Sequence, residues 1–259
     1  MLLRSLLTLL AFAIHSFAAE PLPTVAESSK FTATSRNADV TAFCKELATR
    51  HPQMVRFSEI NGLPVLGVGI GPADKKPVVL IYANIHAGEV DGKEAVLALA
   101  RDLAVGKSEL LTKLRIVILP DINPDGNDRI DKKNRKEQNG PAEGVGVREN
   151  SDGLDLNRDF VKLETKEIRT LVKLIAQYDP IMVIDCHTTN GSQHRYKLTY
   201  DGPRYAVAHP DLISYSTTKL FPDVTTKVKT ATGYDTFWYG NFNRDRTEWT
   251  TYPAGPRFN

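Results

Sequence analysis

An α/β fold is predicted: one domain on a mixed, mostly parallel central sheet with helices on both faces. Three observations carry this. Residues 77–83 and 115–119 are continuously apolar, as in strands covered on both sides. Around them apolar residues recur at helical spacing, as in Val96, Leu99 and Leu103. Asn61-Gly62 joins two strand-like runs, 55–60 and 64–70, a strong hairpin signal.

In chain order, residues 1–19 read as a cleavable export signal. Arg4 gives a positive start, and Ser16-Phe17-Ala18-Ala19 places small residues for cleavage after Ala18 or Ala19. The apolar run between them, about nine residues, is too short to span a bilayer. The expected location is therefore secreted or periplasmic, with no integral membrane association. Residues 20–34 are a polar lead-in, and one domain occupies 35–259. A helix over 38–50 presents Val40, Phe43 and Leu47 on one face and stops before Pro52. The hairpin follows, then the strand 77–83, a helix over 92–103 and the strand 115–119. A Gly- and Asn-rich loop of roughly forty residues comes next, and loops that long are usually functional. A helix over 165–178 leads to an apolar run at 181–186 that reads as a buried strand. Beyond 205 the pattern loosens, with short helices near 211–220 and 223–231.

Lys and Arg number 33 against 31 Asp and Glu, a net charge of +2, and the chain is 41% hydrophobic. That balance excludes a disordered or collagen-like chain and leaves no basic footprint for nucleic acid. Cys44 and Cys186 could form one disulfide in an exported protein. Cys44 falls on the inner side of a helix and Cys186 in the apolar run, so both are expected to be free and buried.

Three features fall at ends of predicted strands, where open α/β sheets bind ligands. His86 and Glu89, three apart after the strand 77–83, can aim an imidazole and a carboxylate at one point. Taken alone, such a pair is weak and more often lies on solvated surface. His187 directly follows the run 181–186; by itself it also fits a satisfied core histidine. Together they make a His₂Glu set with an open fourth position, the catalytic form of a zinc site. The long loop opens with Asn123-Pro124-Asp125-Gly126, a common turn. It closes with Arg148, then Asp155-Leu156-Asn157-Arg158-Asp159-Phe160. Guanidinium groups there suit a substrate carboxylate and a developing oxyanion.

The ordered set resembles the zinc metallocarboxypeptidases of the carboxypeptidase A and E type: His-x-x-Glu, Asn-Pro-Asp-Gly, Asp-Leu-Asn-Arg-Asp-Phe, then His after a further strand. The resemblance spans roughly residues 35 to 259 and favours the E branch, since digestive members often carry Arg where this chain has Gly88. It implies one zinc on His86, Glu89 and His187 and a peptide C-terminus as partner. Asn157 and Arg158 would clamp the substrate carboxylate. Arg148 would stabilise the oxyanion, with Arg135 as runner-up. Asp155 would orient His86, and Tyr239 would close on substrate, with Tyr252 competing. The family's general base is a Glu on a late strand. Here the late acids are Asp245 and Glu248 in a polar, turn-like context, so the chain reads as truncated before its base and closing strand. The implied activity is hydrolysis of the C-terminal peptide bond by zinc-activated water. Alternatives are a zinc amidohydrolase of N-acyl amino acids and a non-catalytic peptide-binding fragment.

Overall fold

A computed structural model describes residues 22–69, 75–106, 108–188, 191, 195–203, 208–242 and 247–251. The export-signal segment 1–19, Tyr252 and Asp245 lie outside these residues. The lead-in holds a short helix, α1 (Val25–Ser28), before α2 (Asn37–Arg50). The hairpin strands are β1 (Val55–Ile60) and β2 (Leu63–Val68). Asn61 (φ 53°) and Gly62 (φ 82°) between them are both left-handed, as a tight hairpin turn requires. Then come β3 (Val78–Ala83), α3 (Val90–Val105), α4 (Leu110–Lys113), β4 (Arg115–Leu119) and α5 (Pro124–Asn127). A 3₁₀ turn at Leu156–Arg158 closes the long loop before α6 (Lys166–Tyr178) and β5 (Met182–Cys186).

The sheet runs β1-β2-β4-β3-β5. β1, β2 and β4 pair antiparallel, while β4-β3-β5 is parallel. Side chains alternate across β3 and thereby sort two cores. Ile81 and Ala83 face α2 and α3, packing with Phe43, Leu47, Val96 and Leu97. Val78, Leu80 and Tyr82 face α6, packing with Ile168, Leu171 and Leu174. Thr165 caps α6 by accepting from the Ile168 N–H, and Asp179 ends it in the left-handed region (φ 44°).

β5 departs from the buried strand read at 181–186. It is the last strand in the order, and Ile181 is 66% exposed and Ile184 38%. Its composition matches a core strand, but among the described residues only β3 pairs with it. Cys186 is accordingly half-buried rather than buried, while Cys44 is fully buried; both are free. Burial pushes the Cys44 thiol up to about 12. Burial, aided by the Asp185 charge, pushes Cys186 up to about 11.

Past the sheet, the two expected short helices run nearly together as α7 (Pro210–Tyr215), a π turn (Ser216–Leu220) and α8 (Phe221–Thr232). Unpredicted three-residue strands pair locally: β6 (Leu198–Tyr200) with β7 (Thr236–Trp238), and β8 (Gly240–Phe242) with β9 (Trp249–Thr251). Tyr200 stacks on Phe221 at 4.3 Å, with Trp238 edge-on to both. No helix among the described residues is long and apolar enough to cross a membrane.

Candidate metal centre

At the end of β3 the chain turns through Asn84, which holds the left-handed conformation (φ 64°). Its amide donates to Asp121 Oδ1 at 2.8 Å and to Asn127 Oδ1 at 3.0 Å, which anchors the turn. Burial pushes the Asp121 carboxyl up to about 6, against the lowering influence of the buried Lys93 ammonium. Lys93 Nζ in turn donates to Ser35 O and Asn127 Oδ1. Asn123 Nδ2 donates at 3.2 Å to both Ile85 O and Arg148 O. The Asn-Pro-Asp-Gly turn thus ties the His86 loop to the Arg148 loop, a role its sequence does not announce.

The Glu89 N–H closes a turn onto His86 O at 2.8 Å, and α3 begins one residue later. Gly92 in the first turn of α3 matters here. A Cβ at that position would lie 2.5 Å from Cys186 Cβ, so only glycine lets α3 press against the end of β5. That approach brings Glu89 to His187.

The ligand atoms of His86, Glu89 and His187 all lie within 4.8 Å of one another. Glu89 is the hub: Oε1 lies 2.9 Å from His86 Nδ1, and Oε2 lies 2.8 Å from His187 Nδ1. Both histidines turn Nε2 away, His86 to Asp155 Oδ1 at 3.1 Å and His187 to Asp185 Oδ2 at 2.8 Å. Arg148 donates to Asp155 Oδ2 from Nε (2.9 Å) and Nη2 (2.8 Å), and its Nη1 stands 3.3 Å from His86 Nδ1. Arg135, itself left-handed (φ 48°), donates to Glu89 Oε1 at 2.7 Å. Gly88 leaves room for it, because a Cβ there would sit 2.6 Å from Arg135 Cγ.

These contacts set the charges. Burial works to raise Glu89, but hydrogen bonds and charge from His187 and His86 hold it well below the usual carboxylate range. Asp155 is held low in the same way, against its burial, by His86 and Arg148. Burial works to lower His187, and the Asp185 and Glu89 carboxylates outweigh it, raising the imidazole to about 9.

The donor set fits zinc. Two imidazole nitrogens and a carboxylate converge, while the outward nitrogens rest on carboxylates that fix the rings. A cavity of about 690 Å³ opens alongside, lined by Arg135 and Arg148 together with Lys133, Lys136, Glu137 and Glu149.

A family model described as zinc carboxypeptidase matches residues 40–235. The chain belongs to the zinc carboxypeptidase family. Human carboxypeptidase D is 31% identical over 117 residues, covering 39% of this chain and 8% of that protein. Mouse carboxypeptidase D is 26% identical over 196 residues, covering 68% and 13%. Carboxypeptidase 2 of Trichophyton tonsurans is 29% identical over 119 residues, covering 45% and 19%. In fold, the chain is similar to carboxypeptidase A of Helicoverpa armigera, with a TM-score of 0.59, 20% identity, and 80% and 57% of the two chains covered. It is also similar to a metallo-carboxypeptidase of Burkholderia cenocepacia, with a TM-score of 0.54, 21% identity, and 82% and 55% covered. The chain thus spans 8–19% of these curated relatives and 55–57% of these solved ones.

Of the residues singled out in this zinc carboxypeptidase sequence, His86, Glu89, His187, Asp155 and Arg148 meet in one cluster, and Arg135 joins them through Glu89. Asn157 borders it, with Nδ2 3.4 Å from His187 Nε2, and Arg158 Nη1 donates to Asn157 O at 2.8 Å. Tyr239 is anchored beside β6, its N–H donating to Tyr200 O at 2.8 Å. Glu248 is exposed and outside any strand, directly ahead of the three-residue β9, in keeping with the polar, turn-like context read for it. Sequence reasoning missed Asp185 and Gly92. Asp-x-His at a strand end was a usable signal, since residues two apart in a strand share a side.

Proposed function

We propose that this chain is a zinc-dependent metallocarboxypeptidase unit that hydrolyses the C-terminal peptide bond of peptides. The convergence of His86 Nδ1, His187 Nδ1 and the Glu89 carboxylate, with both Nε2 atoms turned to carboxylates, carries this reading. Zinc held there supplies Lewis-acid polarisation of the scissile carbonyl and activation of water. The other roles belong to the chain itself. Asp155 steadies both His86 and Arg148, and Arg148 keeps Nη1 directed to the ligand side, where it can donate to the developing oxyanion. Arg158 and Asn157 grip the substrate carboxylate, and Tyr239 closes over it. The family it resembles uses a late-strand glutamate as general base, and none of the residues assigned above takes that role. The domain runs over 35–259, and the segment 1–19 directs the chain to a secreted or periplasmic location.

The test begins with zinc. Dialysed protein should hold one zinc per chain, and His86→Ala, Glu89→Ala or His187→Ala should each sharply lower that stoichiometry. Full retention in His187→Ala would reject the site. Turnover of a hippuryl peptide should exceed that of an acetyl amino acid; the reverse order would make the chain an amidohydrolase, and peptide binding without turnover a binding fragment. Arg148→Ala should lower kcat by about 10²–10³, whereas Arg158→Ala should chiefly raise KM. An unchanged kcat in Arg148→Ala would move the oxyanion role to Arg135.

A further inference from the structure

We propose that Asp185 is a positioning residue for the metal centre. By accepting the Nε2 proton of His187 it commits Nδ1 to the metal side and leaves the Asn157 amide available to substrate. The proposal rests on the zinc-site reading above.

Two groups compete for His187 Nε2. Asp185 Oδ2 lies 2.8 Å from it and can only accept; Asn157 Nδ2 lies 3.4 Å from it and can only donate. One imidazole nitrogen cannot serve both. A proton kept on Nε2 satisfies Asp185 and turns the Asn157 amide away, so the proton that a metal displaces is the one on Nδ1, 2.8 Å from Glu89 Oε2. A lone pair on Nε2 satisfies Asn157 and puts the proton on Nδ1, where it blocks metal ligation. Of the two Nε2 contacts the shorter, to a charged acceptor, is the stronger, and it keeps the proton on Nε2 when Nδ1 ligates.

The two histidines are also held differently. His86 is buried, and its partner Asp155 is braced by Arg148 and by the Asn157 N–H at 2.9 Å. His187 follows the exposed strand β5, and its side chain is 25% exposed. Packing therefore does less to fix its ring, and Asp185 takes over that work. The second oxygen of Asp185, Oδ1, is buried with no hydrogen-bond partner among the described residues, so the carboxylate is oriented by His187. Asn157 Oδ1 is likewise buried and unpartnered among them, as suits an amide not committed within the protein.

The experiment measures zinc affinity of the full chain by competition with a chromophoric chelator, alongside the Tm of the metal-free protein. Asp185→Leu should weaken zinc binding by about 10–100-fold. Asp185→Asn, whose amide oxygen still accepts a hydrogen bond, should weaken it less and keeps the test intact if the Leu variant fails to fold. Adding Asn157→Ala to Asp185→Leu removes the competing donor and should recover part of the affinity, which a merely structural role would not do. Parent-like zinc affinity in both Asp185 variants would overturn the proposal, as would no recovery in the double variant. A parent chain that takes up no stoichiometric zinc would instead overturn the metal-site reading itself.

Discussion

β3 and β5 lie side by side in parallel register, with Ile81 opposite Ile184 and Ala83 opposite Cys186, and each delivers a histidine to the same carboxylate. Their surroundings differ. β3 is covered by α2 and α3 on one face and by α6 on the other, and Ile81 is 5% exposed; Ile184 is 38% exposed. The same residue type, one strand apart, is core in one case and surface in the other. What differs is not β propensity but which neighbours cover the strand. The site therefore joins a rigid half, in which packing fixes His86, to an open half, in which Asp185, Glu89 and the pressure of α3 fix His187.

The sharpest way to break this comparison is to truncate both isoleucines. Ile81→Ala should destabilise by about 2–5 kcal/mol and Ile184→Ala by about 1 kcal/mol or less, measured by denaturant unfolding. Equal losses would mean that β5 is as well covered as β3. Gly92→Ala tests the seam between the halves. A Cβ there meets Cys186 Cβ at 2.5 Å, so α3 or β5 must shift, at a cost of about 1–3 kcal/mol. Zinc affinity should fall as Glu89 moves from His187, and unchanged affinity would remove Gly92 from the account. The smallest effect on stability belongs to Ile181→Lys, within about 0.5 kcal/mol. A charge on an exposed apolar edge should nonetheless reduce aggregation, read by light scattering on heating.

The rigid half was legible in the sequence. Continuous apolar runs gave β3 and β4, helical spacing gave α2, α3 and α6, and Asn61-Gly62 gave the hairpin, each with ends within a few residues of those observed. The open half was legible only in part. Ile181, Met182, Val183 and Ile184 read as buried because composition records what a strand can pack against, not what covers it. β6 to β9 are three residues each, too short to show a period. In the candidate site, motif order singled out His86, Glu89, His187 and Asp155, which the fold brings together. Asp185 stayed hidden because its partner His187 lies only two residues on, just past the end of β5, where no longer-range pattern relates them. Asn123 stayed hidden because its amide serves carbonyls, which no side-chain pattern encodes.

The pairing of Ala83 with Cys186 has a consequence for how the chain folds. His86 lies three residues beyond that rung on one strand and His187 one residue beyond it on the other. A slip of one residue between the strands would displace His187 by about 3.3 Å and turn its side chain to the opposite face. Metal–ligand distances tolerate only about 0.2 Å. Chains with misaligned strands would therefore fail to take up zinc, while correctly threaded ones would be drawn off by mass action. Zinc would then proofread the assembly of this sheet, and metal loading would count the correctly threaded molecules before any substrate arrives.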